Sequence, residues 1–380
     1  MALPDNDVVA DGHHEHPHDV PVRTGRTAAP PPRDGPRRPR VHGRPHAQQG
    51  QRPPPRSRLP GVGVAGLRGP GGPGGRRVTA VGVIGAGAVG QAVGMLLAAS
   101  GWCRTVAVAS CSGRSAAALV TDLEDMGQAG GSPVRLVTAA PAHMRACDAV
   151  VVCPRAAFTN TATRDVRMAG LRANGVLLRR LARQFTAYSG VVLVVTNPVD
   201  VMTRLFAEES GCARVLGVGS NTDSARYRAI LARRLRVPAA AVHGHVIGEH
   251  GDHAVICAST TTVHGRRMPV PVPVTEIREE LAARPGRIAD GIGRTRCGPA
   301  AATVTALAHA LGVTDGVVEL SAHWRDGVHL GVPLHFTGGR RTECMPTLAP
   351  DEASQLAAAE SKLRAAYETL QAAEKEKTPA

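Results

Sequence analysis

The sequence predicts an α/β protein: a doubly wound parallel sheet over residues 78–217, then a second α+β substrate domain over residues 218–375, behind a disordered tail at residues 1–77. Three observations point there. Val-rich apolar runs alternate with helix-like segments at a spacing that implies right-handed βαβ crossovers and hence a parallel sheet. Aromatic residues make up only 2% of the chain, so the core must be built from Val, Leu, Ala and Ile, which suits strands buried under helices on both faces. A glycine signature closes the first of those runs.

The tail comes first and contributes least. It holds about half of the 29 prolines and runs such as PPPRDGPRRPR and GPGGPGGRR, and it buries too little surface to offset its ordering entropy. Its HHEHPH cluster at 13–18 has no supporting shell, so no metal site is expected. From Val78 the texture changes. VTAVGVIGAG reads as a buried strand and AVGQAVGMLLAAS as the helix after it. Strands follow at about 105–110, 148–153 and 190–196, with helices at about 114–127 and 167–187. Beyond residue 217 the pattern loosens into a helix at about 222–235, shorter strands near 242–248, 254–263 and 316–336, a helix at about 274–311 and a last one at about 351–374.

Charge and cysteines exclude several classes. The net charge is +14, yet only Lys362, Lys375 and Lys377 are lysines, roughly half the excess lies in the tail, and no nucleic-acid motif accompanies it. Nucleic acid is therefore not favoured as a partner. The eight cysteines are scattered without a CxxC pair, as in reduced thiols. The acidic N-terminus does not resemble a signal peptide, and no charge-free apolar run suits a membrane span. The expected location is cytoplasmic, with no membrane association.

The first strand ends in GAGAVG, which places Gly85, Gly87 and Gly90 in GxGxxG spacing at the opening of a helix. The first glycine permits the tight turn, the second lets backbone approach a pyrophosphate, and the third lets helix and strand pack closely. A Rossmann dinucleotide site follows, with Val89 on its helix. An acid is expected about twenty residues on to hold the ribose, but VASCSGRS puts Ser110 there with Arg114 beyond. NAD is the expected cofactor, and the missing acid leaves NADP open.

Three further fragments carry chemistry: VVTNPVDV at 194–201, GSNTDSARYR at 219–228 and VIGEHGDHA at 246–254. With the glycine signature, in this order and spacing, they resemble the L-lactate and malate dehydrogenase family, including the bacterial L-2-hydroxyacid dehydrogenases; the nearest likeness is to bacterial L-lactate dehydrogenase. The resemblance runs from about residue 78 to about 374. It implies hydride transfer between a nicotinamide cofactor and a small 2-oxo acid, with His250 as the proton donor, since an imidazole titrates near neutrality. Asp223 would orient that imidazole. Arg226, three residues along the same helix, would grip the substrate carboxylate through two hydrogen bonds, and Asn197 would lie between nicotinamide and substrate.

The resemblance also implies a mobile loop whose arginine polarises the substrate carbonyl. In CPRAAFTNTATRDVRMAGLRAN the loop is about three residues longer than usual. Counting back from Asn174 selects Arg167, the preferred choice; counting forward from the strand selects Arg164. The substrate-discriminating position falls on Asn160 or Ala157, with Arg155 further back, while Thr295 matches a lactate-type threonine. Pyruvate is thus the favoured substrate, with malate and branched-chain dehydrogenases, or a catalytically impaired nucleotide-binding homologue, as alternatives. Arg228 and His243 match an anion site for fructose 1,6-bisphosphate between subunits, and the family implies a dimer or tetramer.

Overall fold

The structure is a computed structural model and describes residues 78–159, 165–268 and 271–375, all within one compact unit, Pro60–Ala380. The tail with its HHEHPH cluster, and the loop residues Asn160 and Arg164, lie outside the described residues.

The nucleotide-binding half follows the predicted alternation: β1 (Val78–Ile84), α1 (Ala88–Ala99), β2 (Cys103–Ala109), α2 (Gly113–Gly130), β3 (Arg135–Thr138), β4 (Ala149–Val152), α3 (Leu171–Ala182), β5 (Val191–Val194), α4 (Val199–Ser210) and β6 (Val215–Gly217). These six strands are parallel in the order β3-β2-β1-β4-β5-β6. The sheet reverses direction of build between β1 and β4, and the crevice at such a switch point is where ligands bind in open α/β sheets. AVVV of β4 and VVLV of β5 are buried at every position, which explains why they read as continuous apolar runs and not as alternating ones.

The second half contains α5 (Ser220–Leu235), β7 (Val242–His243), β8 (Val246–Gly248), β9 (Ala254–Ile256), β10 (Thr262–Val263), β11 (Arg266–Arg267), α6 (Val274–Ile292), α7 (Cys297–Ala310), β12 (Gly316–His323), β13 (His329–Thr337), β14 (Arg340–Glu343) and α8 (Pro350–Lys375). The sheet is continuous across residue 217: β12 pairs antiparallel with β6, β13 with β12, and β8 and β9 extend the edge. Helix α8 covers β9 and reaches α3 and α4.

Several boundaries differ from the expected ones for local reasons. The helix expected over 274–311 is two helices, because Gly293 caps α6 with φ +81° and breaks the run. The helix expected over 167–187 is α3 flanked by 3-10 turns. Each of the three later strand regions is a pair of strands. β3, α4, β6, β11 and β14 were not expected; each of these strands is four residues or fewer, too short a run to announce itself.

The β1–α1 turn shows what the glycines do. Gly85 has φ +121° and Gly90 packs so closely that a Cβ there would lie 1.7 Å from the Gly85 carbonyl oxygen. Gly90→Ala therefore forces backbone apart inside a packed core and is expected to cost about 3 kcal/mol. Thermal denaturation checks it; an unshifted midpoint would mean the turn can relax freely.

Candidate active site

At the carboxyl end of β6 the chain turns through Gly219 into α5, whose first turn carries Asp223. A strand-end carboxylate on a helix N-terminus is electrostatically favoured. One turn on, Arg226 lies on nearly the same face and donates from Nη1 to Asp223 Oδ1 at 3.3 Å. The loop after β8 brings His250 in from the other side. Its Nδ1–H donates to Asp223 Oδ2 at 2.5 Å, which leaves Nε2 as the nitrogen that faces away from the acid. The side chains of His250, Asp223 and Arg226 are about nine-tenths buried.

Burial and charge act in opposite senses on these groups. Burial alone would raise the Asp223 carboxyl, but the charge and hydrogen bond of His250, and the charges of Arg167 and Arg226, hold it below the ordinary carboxylate range. Burial lowers the His250 imidazole below its ordinary value; Asp223 opposes this, while Arg167 and Arg226 add to it. Arg167 thus stands close enough for its charge to act on His250, Asp223 and Arg226 alike. It caps the 3-10 turn Met168–Gly170 just before α3.

Two residues that sequence reasoning gave no role hold the histidine in place. Asp200, in the TNPVD segment at the start of α4, accepts the His250 backbone N–H at 2.8 Å. It is fully buried, and burial pushes its carboxyl up to about 7. Gly219 lies directly under the ring: a Cβ there would come within 2.6 Å of the His250 imidazole. The signal for Asp200 was an acid standing inside the motif VVTNPVDV at an otherwise apolar helix start.

The remaining candidates distribute as follows. Asn174 donates to the Asn197 carbonyl at 2.7 Å and accepts the Ala156 N–H at 2.8 Å, so it ties the segment after β4 to the segment after β5. Asn197 Oδ1 is buried with no hydrogen-bond partner among the described residues, an acceptor held ready for a bound group. Arg155 stacks on Phe158, 4.1 Å from the ring centroid, and Ala157 is exposed. Thr295 is half-buried between α6 and α7 and makes no hydrogen bond to the His250 cluster among the described residues. Arg228 donates to the Gly244 carbonyl, next to His243, and to Glu319, each at 3.1 Å; His245 shares that carboxylate at 2.7 Å, while His243 is exposed.

A dinucleotide fits the opening of α1. The helix has no side-chain cap and no acid in its first turn, so its N–H groups are left for an anion, and nothing lies within 4 Å of where a Gly87 Cβ would be. Ser110 sits just beyond β2 and accepts from the Ser115 hydroxyl at 2.9 Å. Arg114, in the first turn of α2, is exposed.

Fold and cluster together define a nucleotide-binding α/β subunit with a buried imidazole–carboxylate pair beside two arginines. Residues 79–217 match the family described as lactate/malate dehydrogenase, NAD binding domain. An L-lactate dehydrogenase of Chloroherpeton thalassium is 30% identical over 219 residues, covering 56% of this chain and 69% of that one. One of Treponema denticola is 34% identical over 201 residues, 51% of this chain and 60% of its own length, and a malate dehydrogenase of Methanosphaera stadtmanae is 31% identical over 176 residues, 42% and 56%. The chain belongs to the lactate/malate dehydrogenase family. Among solved structures, the minor L-lactate dehydrogenase of Enterococcus mundtii superposes with TM-score 0.72 at 23% identity, over 78% of this chain and 99% of that one. A malate dehydrogenase of Salinibacter ruber does so with 0.71 at 25%, over 79% and 100%. The fold is therefore shared over 78–79% of this chain and nearly the whole of each neighbour.

Proposed function

We propose that the protein is an NAD-dependent L-2-hydroxyacid dehydrogenase that interconverts a 2-oxo acid and its L-2-hydroxy acid, with pyruvate and L-lactate as the favoured pair. The observation that carries this reading is the His250–Asp223–Arg226 cluster: one helix turn supplies both the carboxylate that orients the imidazole and the guanidinium that can anchor a substrate carboxylate. Residues 78–217 hold the cofactor, through Gly85, Gly87, Val89, Gly90 and Ser110, and residues 218–375 carry most of the substrate site. NADH, when bound, supplies the hydride.

Protonated His250 delivers a proton to the carbonyl oxygen, and Asp223 stabilises the imidazolium that precedes transfer. Arg226 has five donors and spends one on Asp223; the others can grip the substrate carboxylate. Arg167 places positive charge where the carbonyl oxygen becomes negative. The unpartnered Oδ1 of Asn197 orders the nicotinamide against the substrate. Arg226→Lys keeps the charge but loses the planar fork, and is expected to raise the substrate KM about tenfold or more while leaving kcat nearly intact; an unchanged KM would remove Arg226 as the anchor.

The test is a panel of pyruvate, oxaloacetate and 2-oxoisocaproate with the purified protein, each with NADH and NADPH. Turnover on pyruvate supports the reading, a preference for oxaloacetate or for the branched acid reassigns the substrate, and no turnover on any supports the impaired homologue instead. Because Ser110 carries no charge to repel a 2′-phosphate, NADPH should sustain measurable though slower turnover; none at all would contradict that expectation.

A homo-oligomer, dimer or tetramer, and a cytoplasmic location belong to the same reading. No helix among the described residues is long and apolar enough to cross a membrane. If fructose 1,6-bisphosphate is an effector at Arg228 and His243, the donors of Arg228 other than the Nη1 held by Glu319 and Gly244 are the ones open to it. An unaltered pyruvate saturation curve on its addition removes the effector.

A further inference from the structure

The chain has only three lysines, and Lys362 of α8 lies between two acids that belong to the substrate side of the protein. Its Nζ donates to Asp165 Oδ2 at 2.6 Å and to both Glu249 oxygens, at 2.8 and 3.0 Å. A compact ammonium with three donors fits such a gap where a planar guanidinium would not. Burial alone would lower the ammonium, but its hydrogen bonds to Asp165 and Glu249 outweigh it and hold the pKa above that of an ordinary lysine.

Both acids stand next to candidate active-site residues. Glu249 precedes His250; its carboxylate is 2% exposed, also accepts the His253 N–H at 2.9 Å and lies where a Gly251 Cβ would be. Asp165 lies two residues before Arg167. It has φ +47°, a left-handed conformation that an acid tolerates but does not prefer, so the turn depends on its surroundings. The contacts that hold it are Lys362, the Asp165 N–H donated to Asp252 at 3.1 Å, and the Met168 N–H donated back to the Asp165 carbonyl at 2.9 Å.

We propose that Lys362 is a positioning residue for the substrate site, holding Asp165 against Glu249 so that the 165–168 turn keeps Arg167 beside His250 and Asp223. The inference rests on the reading of Arg167 as the group that polarises the substrate carbonyl. Lys362 touches no reacting atom in this account; it acts through the turn, from a helix 195 residues further along the chain.

The experiment pairs steady-state kinetics with amide hydrogen exchange on the full chain, for Lys362→Met, Asp165→Asn and the double variant. Asp165→Asn leaves Lys362 on Glu249 and serves if Lys362→Met does not fold. Expected for either single variant are several-fold faster exchange in the 165–168 segment, unchanged exchange in β4 and β5, unchanged NADH affinity by fluorescence titration and a kcat reduced about tenfold. The double variant should be no slower than the worse single one, because both cut the same link. Faster exchange with wild-type kcat overturns the positioning role and leaves a structural tie alone. Unchanged exchange overturns the link itself. If the wild-type protein turns over no 2-oxo acid, the dehydrogenase reading fails by that result, while the exchange data still decide whether Lys362 holds the turn.

Discussion

Replacing His250 with Asn is expected to lower kcat for 2-oxo acid reduction on the order of 10³-fold while leaving NADH affinity unchanged. Asn keeps a side chain of similar reach, and its amide can still donate to Asp223, so Asp223 need not be left as an unpaired buried charge. What Asn lacks is a nitrogen that can carry a proton to the carbonyl and recover it near neutrality. The backbone contact from residue 250 to Asp200 is independent of the side chain, so the loop should keep its place. NADH fluorescence titration and the unfolding midpoint serve as controls. A variant that retains wild-type kcat would remove His250 from the chemistry altogether.

The second large effect is Arg167→Gln, expected to reduce kcat/KM about 100-fold, the scale of losing one preorganised group at a developing oxyanion. It also has a signed pH signature. A positive charge near an imidazole disfavours the protonated form, and the charge of Arg167 accordingly lowers His250. Reduction needs His250 protonated, so activity falls as pH rises through that pKa. Removing Arg167 raises the pKa, and the alkaline limb of kcat/KM should move to higher pH even as the rate drops. A rate loss with an unmoved limb would place Arg167 away from His250 in the working enzyme, and no rate loss would return the role to Arg164.

How far the sequence was legible depends on whether a feature is local. The glycines of the β1–α1 turn, the buried runs AVVV and VVLV, and the DxxR spacing on α5 are short patterns with a fixed geometric consequence, and each takes the expected place. The break at Gly293 was missed because a glycine within helical periodicity reads the same whether it caps or continues. The contacts around HGH were not legible either: β7 turns His243 outward, while His245, between β7 and β8, reaches the Glu319 that Arg228 also holds. Asp165, Glu249 and Lys362 form no motif, since their juxtaposition exists only once α8 has packed across β9. The substrate-selecting positions form no such cluster: Asn160 lies outside the described residues, Ala157 is exposed, Arg155 stacks on Phe158, and Thr295 makes no hydrogen bond to the His250 cluster among the described residues.

The measurement that bears most directly on the account follows the hydride itself. Wild-type protein incubated with pyruvate and NADH deuterated at the transferring position of C4 should give L-lactate with one deuterium at C2, formed in equal amount to the NADH consumed. Cofactor left unoxidised with pyruvate, oxaloacetate and 2-oxoisocaproate alike, or a hydroxy acid without the label at C2, would contradict hydride transfer by this protein.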